Sequence, residues 1–150
     1  MSSKNTMVAC SLAVGAFIAA PMTLADDTKT SASQILAVAT EFTLISAAEL
    51  NTQLQGANAP FVFDANVPQV RSDKGVVKGA RQLSDYQDYD VAKELPVDKS
   101  KALVFYCYNE QCMASHMAAK RALQAGFQHV AVMREGIAGW VSAGYPVDKS

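Results

Sequence analysis

The chain carries almost no net charge. Its 13 basic residues against 14 acidic ones give −1 at pH 7. Lys and Arg form no cluster, so nothing electrostatic favours a nucleic-acid partner. No segment approaches the roughly 20 consecutive apolar residues that a membrane-crossing helix requires. There is no internal repeat, and no shift in composition that marks a second folded domain. Cysteine is scarce too, with three, Cys10, Cys107 and Cys112. What the chain does have is apolar mass: half of its 150 residues are hydrophobic, enough for one domain with a proper core.

The N-terminus has the pattern of an export signal. Lys4 lies in a short polar lead, Met7 to Ala20 is almost wholly apolar, Pro21 breaks that run, and Thr23-Leu24-Ala25 precedes Asp26-Asp27. A positive lead, a short apolar core and a small residue before a polar stretch describe a cleavable secretory signal over 1–25, cut after Ala25. The expected location is periplasmic or secreted, with no membrane attachment after cleavage. Cys10 precedes most of the apolar core, where a lipidated cysteine is expected after it, and it leaves with the signal. Residues 26–41 read as a linker, small and polar at first, and 42–150 as the folded domain. Cys107 and Cys112 then stand in an exported, oxidising compartment.

Leu103-Val104-Phe105-Tyr106-Cys107 is an apolar run that ends on a cysteine. A polar loop, Tyr108-Asn109-Glu110-Gln111, follows, then Cys112 and a helical stretch. A thiol at the C-terminal end of a buried strand, facing the start of the next helix, meets converging backbone N–H groups. Such a cradle favours a thiolate or an anion bonded to it.

Around this feature strands alternate with helices. Phe42-Thr43-Leu44-Ile45 reads as a strand. Ser46-Ala47-Ala48-Glu49 has capping-box spacing and opens a helix that ends near Gly56. Pro60 to Asp64 is a second strand, and Gly75 to Ala80 a turn feeding a short strand or bend. Asp85 to Leu95 holds a helix closed by Pro96. Ala102 to Tyr106 is an unalternating strand of the kind buried on both faces of a parallel sheet. Met113 to Ala125 is a helix with Met113, Met117, Ala118, Ala122 and Leu123 as its apolar stripe and Gly126 beyond its end. The two methionines and Trp140 are expected in the core. His129 to Met133 is a strand, and Ile137 to Ala143 a last helix. The fold class is α/β.

In this order the elements resemble a single rhodanese-like domain from Phe42 to the C-terminus. Phe61-Val62-Phe63-Asp64 is similar to the strand that ends in that family's aspartate, and Gly75-Val76-Val77-Lys78-Gly79-Ala80 to its Gly-His-Ile-Pro-Gly-Ala turn. Val104-Phe105-Tyr106-Cys107 resembles the strand leading to the active cysteine, with Ala118-Ala119 and Gly126-Phe127 in the following helix and its end. Glu135-Gly136-Ile137, Trp140 and Ala143-Gly144-Tyr145-Pro146-Val147 resemble the C-terminal signature. The resemblance implies a three-layer sandwich with a central, mostly parallel sheet flanked by helices. It implies a sulfurtransferase or sulfane-sulfur carrier in which Cys107 takes sulfur from a small donor such as thiosulfate, holds it as a persulfide, and passes it to cyanide, a thiol or another nucleophile. The backbone of Tyr108, Asn109, Glu110, Gln111 and Cys112 forms the cradle. No cofactor, metal or named protein partner is implied.

The active-site loop departs from the family pattern. It contains no basic residue to attract an anionic donor, Glu110 adds a negative charge, and it is about two residues longer than the common form. Met113-Ala114-Ser115 lacks the arginine on which longer phosphatase loops end, which argues against phosphatase activity. Val76 replaces the usual histidine, and Asn66 the arginine that often follows the aspartate. Arg71, Lys74 and Arg134 are the basic residues whose positions the sequence leaves open. Cys112 is either a partner thiol or a small residue packed under the loop. Two alternatives therefore stay open: a thiol–disulfide redox protein or sensor using Cys107 and Cys112, and a catalytically silent binding module. His116 is expected to pack on the helix surface, Asp64 to be a structural carboxylate, and Glu110 a solvated charge. Cys-x4-Cys-x3-His lacks the fourth ligand and the tight spacing of a structural zinc site.

Overall fold

The computed structural model describes residues 41–150. The signal expected at 1–25 and all but the last residue of the expected linker lie outside the described residues. Five strands form a parallel sheet: β1 (Thr43–Ile45), β2 (Phe61–Asp64), β4 (Arg81–Gln82), β5 (Ala102–Tyr106) and β6 (His129–Met133), in the order β1-β6-β5-β2-β4. Two short antiparallel strands, β3 (Val76–Val77) and β7 (Val147–Asp148), make a separate ribbon. The helices are α1 (Ala47–Leu54), α2 (Pro68–Lys74), α3 (Val91–Glu94), α4 (Ala114–Gln124) and α5 (Gly136–Ser142).

Alternation along the central strand builds the two cores. Leu103, Phe105 and Cys107 face one way and pack with Phe63, Tyr89 and the Ala118, Ala119, Ala122 and Leu123 face of α4. Val104 and Tyr106 face the other way, among Ala47 and Leu50 of α1 and Ile137 and Trp140 of α5. Both faces of β5 are covered, which is why its sequence shows no polar alternation. Trp140 is buried, and its indole N–H donates to the Pro146 carbonyl at 2.9 Å, so its one polar atom is satisfied.

Several expectations are corrected. The helix expected over Asp85 to Leu95 is a single turn, α3. The Asp85 carboxylate captures the N–H groups of Gln87 (2.6 Å) and Asp88 (2.9 Å), a turn that competes with helix, and Asp90 then caps the one turn that forms. Helix α2, with Pro68 at its start, has no counterpart in the sequence reading, and neither does β7, whereas β4 is the short strand fed by the Gly75 to Ala80 turn. Met113 and Met117 are not core: they are 58% and 42% exposed. The buried face of α4 runs instead through Ser115, Ala118, Ala119, Ala122 and Leu123, which bring the helix close against the sheet. The capping box at Ser46 and Glu49 forms as expected, opening α1.

Candidate active site

Cys107 follows β5 directly and points toward α4 with 1% of its surface exposed. Its sulfur donates to the Cys112 carbonyl at 3.0 Å and lies 3.2 Å from the Ser115 hydroxyl. With the thiol proton committed to the carbonyl, the serine hydroxyl is the donor toward sulfur. Both cysteines are free.

Burial pushes the Cys107 thiol up to about 11, and the neighbouring Cys112 thiol adds to that. The Ser115 hydroxyl and N–H act the other way, because they stabilise negative charge on sulfur. The expected cradle is thus only partly present. The N–H groups of Gln111 and Cys112 are engaged by the Asn109 side chain (3.2 Å) and carbonyl (3.1 Å), and the anion-stabilising contacts come from Ser115. Alkylation of Cys107 by iodoacetamide, followed by peptide mapping, is expected to rise about tenfold per pH unit from pH 7 toward pH 10. Ser115→Ala should shift that profile upward and slow alkylation about three- to tenfold at fixed pH. A profile already flat at pH 8 would contradict this.

Two further contacts hold the loop backbone. The N–H groups of Ile137 and Ala138 donate to the carbonyls of Cys107 (2.8 Å) and Tyr108 (3.0 Å). Gly136 permits this approach: it sits at φ +62°, and a Cβ there would lie 2.5 Å from the Cys107 and Tyr108 carbonyl oxygens. Tyr108 and Glu110 are exposed and Asn109 half-buried. Gln111 is exposed as well, and Glu110 is tied to Arg134 by a solvent-exposed ion pair of 3.5 Å.

At the end of the neighbouring strand, fully buried Asp64 accepts from the Asn66 N–H (2.7 Å) and from the Arg71 guanidinium (3.0 Å). Arg71 also donates to the carbonyls of Asp64 (3.0 Å) and Leu83 (2.9 Å). This arginine is committed to the fold and is not available to a donor anion. Lys74 is exposed at the last turn of α2. His116 packs its ring edge-on against Phe42 at 5.2 Å. Among the described residues no group of three or more His, Cys, Asp or Glu is arranged to hold a metal ion.

A cysteine closing the central strand of a five-stranded parallel sheet, with its loop pinned by the following strand–helix turn, matches a known family. The rhodanese-like domain family model covers residues 46–143. The chain belongs to the rhodanese-like family. It is similar to a rhodanese-like domain from Anabaena sp. at 22% identity and TM-score 0.61, covering 73% of this chain and 81% of that one. A polysulfide-sulfur transferase homodimer from Wolinella succinogenes is 19% identical with TM-score 0.61, over 77% of this chain and 85% of the other. A rhodanese-related protein from Thermoplasma volcanium is 22% identical with TM-score 0.56, over 73% of this chain and the whole of its own. At these identities the likeness speaks to fold. No curated protein matches significantly.

Of the site residues expected in this rhodanese-like domain, Cys107 and Cys112 come together and Glu110 points to solvent. Ser115 is the residue that sequence reasoning missed. Its signal was a polar residue in register with Ala118 and Ala119 on the small-residue face of the helix that follows the cysteine.

Proposed function

We propose that this rhodanese-like domain is an exported sulfurtransferase or sulfane-sulfur carrier that forms a persulfide on Cys107. The observation that carries the reading is the position of the Cys107 sulfur, at the end of the central strand and held between Ser115 and the Cys112 carbonyl. Loss of the thiol proton to solvent gives the nucleophile. The thiolate attacks the sulfane sulfur of a donor, a new S–S bond forms at Cys107, and the donor's bond to that sulfur breaks, its electron pair leaving with the remainder. In the second half a thiol or another nucleophilic acceptor takes the outer sulfur, and its electron pair returns to Cys107. Ser115 is placed to stabilise the charged sulfur in both halves. The N-terminal pattern from Lys4 to Ala25 supports export to the periplasm or out of the cell.

The test is to incubate the domain with glutathione persulfide, polysulfide or thiosulfate and weigh it intact. One donor at least should add about 32 Da, the mass of one sulfur held as a persulfide. No adduct from any of them overturns the reading. The hydrogen bond from the Cys107 thiol to the Cys112 carbonyl brings the two cysteines together and supports a second reading, a thiol–disulfide pair. That reading requires a Cys107–Cys112 disulfide that forms and is reduced reversibly under mild redox buffers.

A further inference from the structure

We propose that Cys112, Met113 and Met117 form a binding site for copper(I), separate from the sulfur transfer assigned to Cys107 and independent of that reading. All three line one cleft of about 320 Å³ beside the active-site loop. Each brings a soft sulfur donor, a thiol from Cys112 and a thioether from each methionine. Val67 and Val70 of the facing wall are apolar, and no charged side chain lines the cleft among the described residues.

The backbone sets these residues side by side. Met113 stands at the N-cap of α4, and the Met117 N–H donates to its carbonyl at 3.1 Å. The two side chains therefore lie one turn apart on the same face of the helix. Cys112 precedes them directly. Its carbonyl accepts from the Cys107 thiol, while its own half-buried side chain lines the cleft. Sulfur transfer at Cys107 gives that second thiol no task. The methionines are 58% and 42% exposed, so both thioethers can be reached from solvent. The Met117 sulfur accepts from the Gln87 amide at 3.5 Å, a weak bond that a metal ion displaces easily. Unbranched side chains with three rotatable bonds let both thioethers turn to a common centre.

The donor set selects the ion. Thioethers bind copper(I) and are poor ligands for hard cations, which take carboxylates, carbonyls and water. No carboxylate and no histidine lines the cleft among the described residues, and His116 is turned onto Phe42. A single thiolate cancels the charge of a monovalent ion. A divalent ion such as zinc(II) would keep an unpaired charge against apolar walls. Binding replaces the S–H bond of Cys112 with a sulfur–copper bond and releases that proton to solvent. Copper enters and stays as copper(I), so no electron changes hands.

The test is an anaerobic titration of the reduced protein with copper(I) held by the chelator bicinchoninate. A Cys10→Ser background leaves Cys107 and Cys112 as the only thiols. The protein should take an equimolar amount of copper(I) from the chelator. Isotopic labels on the methionine methyl groups should show Met113 and Met117 shifting, while Met133, buried in the core, stays in place. Leucine keeps the volume of methionine at these exposed positions, so Met113→Leu with Met117→Leu retains the fold. That pair should weaken binding at least about hundredfold, and Cys112→Ser by as much. Cys107→Ser should leave the affinity within about threefold, because Cys107 does not line the cleft. No transfer from the chelator, or transfer with unmoved signals at Met113 and Met117, overturns the proposal. So does an affinity unchanged by the leucine pair, or one lost in Cys107→Ser, which would put the ion between the two cysteines. Displacement of copper(I) by zinc(II) at equal concentration overturns it as well.

Discussion

Cys107→Ser is expected to take up no sulfane sulfur from any donor that loads the wild type, a loss of at least about a thousandfold in the rate of transfer to cyanide or a thiol. A serine hydroxyl attacks only with a general base beside it, and none is placed there. His116 is turned onto Phe42, and Asp64 is held by Arg71 and Asn66. The substitution leaves the fold nearly untouched, because a hydroxyl in the same place can donate to the Cys112 carbonyl and accept from Ser115. Its cost in stability should stay within about 1 kcal/mol. The pair of measurements is therefore clean: intact mass after loading reports chemistry, and urea denaturation reports fold. A serine variant that gains sulfur at the wild-type rate would remove Cys107 from the reaction.

The largest effect on stability is expected at Arg71. Its guanidinium lies at 9% side-chain exposure against a carboxylate with none, and it also satisfies the carbonyls of Asp64 and Leu83. Arg71→Ala leaves the Asp64 carboxylate buried without its ion-pair partner and frees both carbonyls. Breaking a buried pair from one side in this way costs about 3–5 kcal/mol. That is a large share of the roughly 5–15 kcal/mol that holds a typical domain folded. The urea midpoint should fall with little change in slope. Removing both charges, as in Asp64→Leu with Arg71→Met, should recover part of the loss, since no uncompensated carboxylate remains. A loss below about 1 kcal/mol in Arg71→Ala would mean that water reaches Asp64 and that the pair contributes as a surface bridge does.

The residues that carried the sequence reading are those whose role is local. Strand β5 was legible because a strand covered on both faces must be apolar at every position, and the thiol at its end followed from that boundary. Helix α1 was legible from Ser46 and Glu49, whose side chains bond only within the first turn. What escaped is what tertiary contacts decide. Helix α2, Pro-Gln-Val-Arg-Ser-Asp-Lys, has too few apolar residues to show a period. Its inward residue is Arg71, whose partners at Asp64 and Leu83 come from other elements. Strand β7 pairs over only two residues, less than a pattern can reveal.

The misreading of α4 is the most instructive. The expected stripe of Met113, Met117, Ala118, Ala122 and Leu123 holds for its last three members, but the two methionines joined it only because methionine is apolar and four positions apart makes a stripe. The alanines and Ser115 make the real interface, since small side chains let the helix sit close to the sheet. The same geometry puts the two methionines at the surface and a serine against the reactive sulfur. The candidate site was thus legible in its nucleophile and not in its surroundings. The absence of a basic residue in the loop could be read from the sequence. That Arg71 and Arg134 are engaged elsewhere could not.

The most direct test of the central claim is the state of the two cysteines in the protein recovered from its native compartment, with alkylation at the moment of lysis. Fragmentation of the peptide that spans both residues locates any added sulfur. The account predicts an extra sulfur on Cys107, with Cys112 recovered as an unmodified thiol. A Cys107–Cys112 disulfide as the standing form, or sulfur found on Cys112 and never on Cys107, would contradict it.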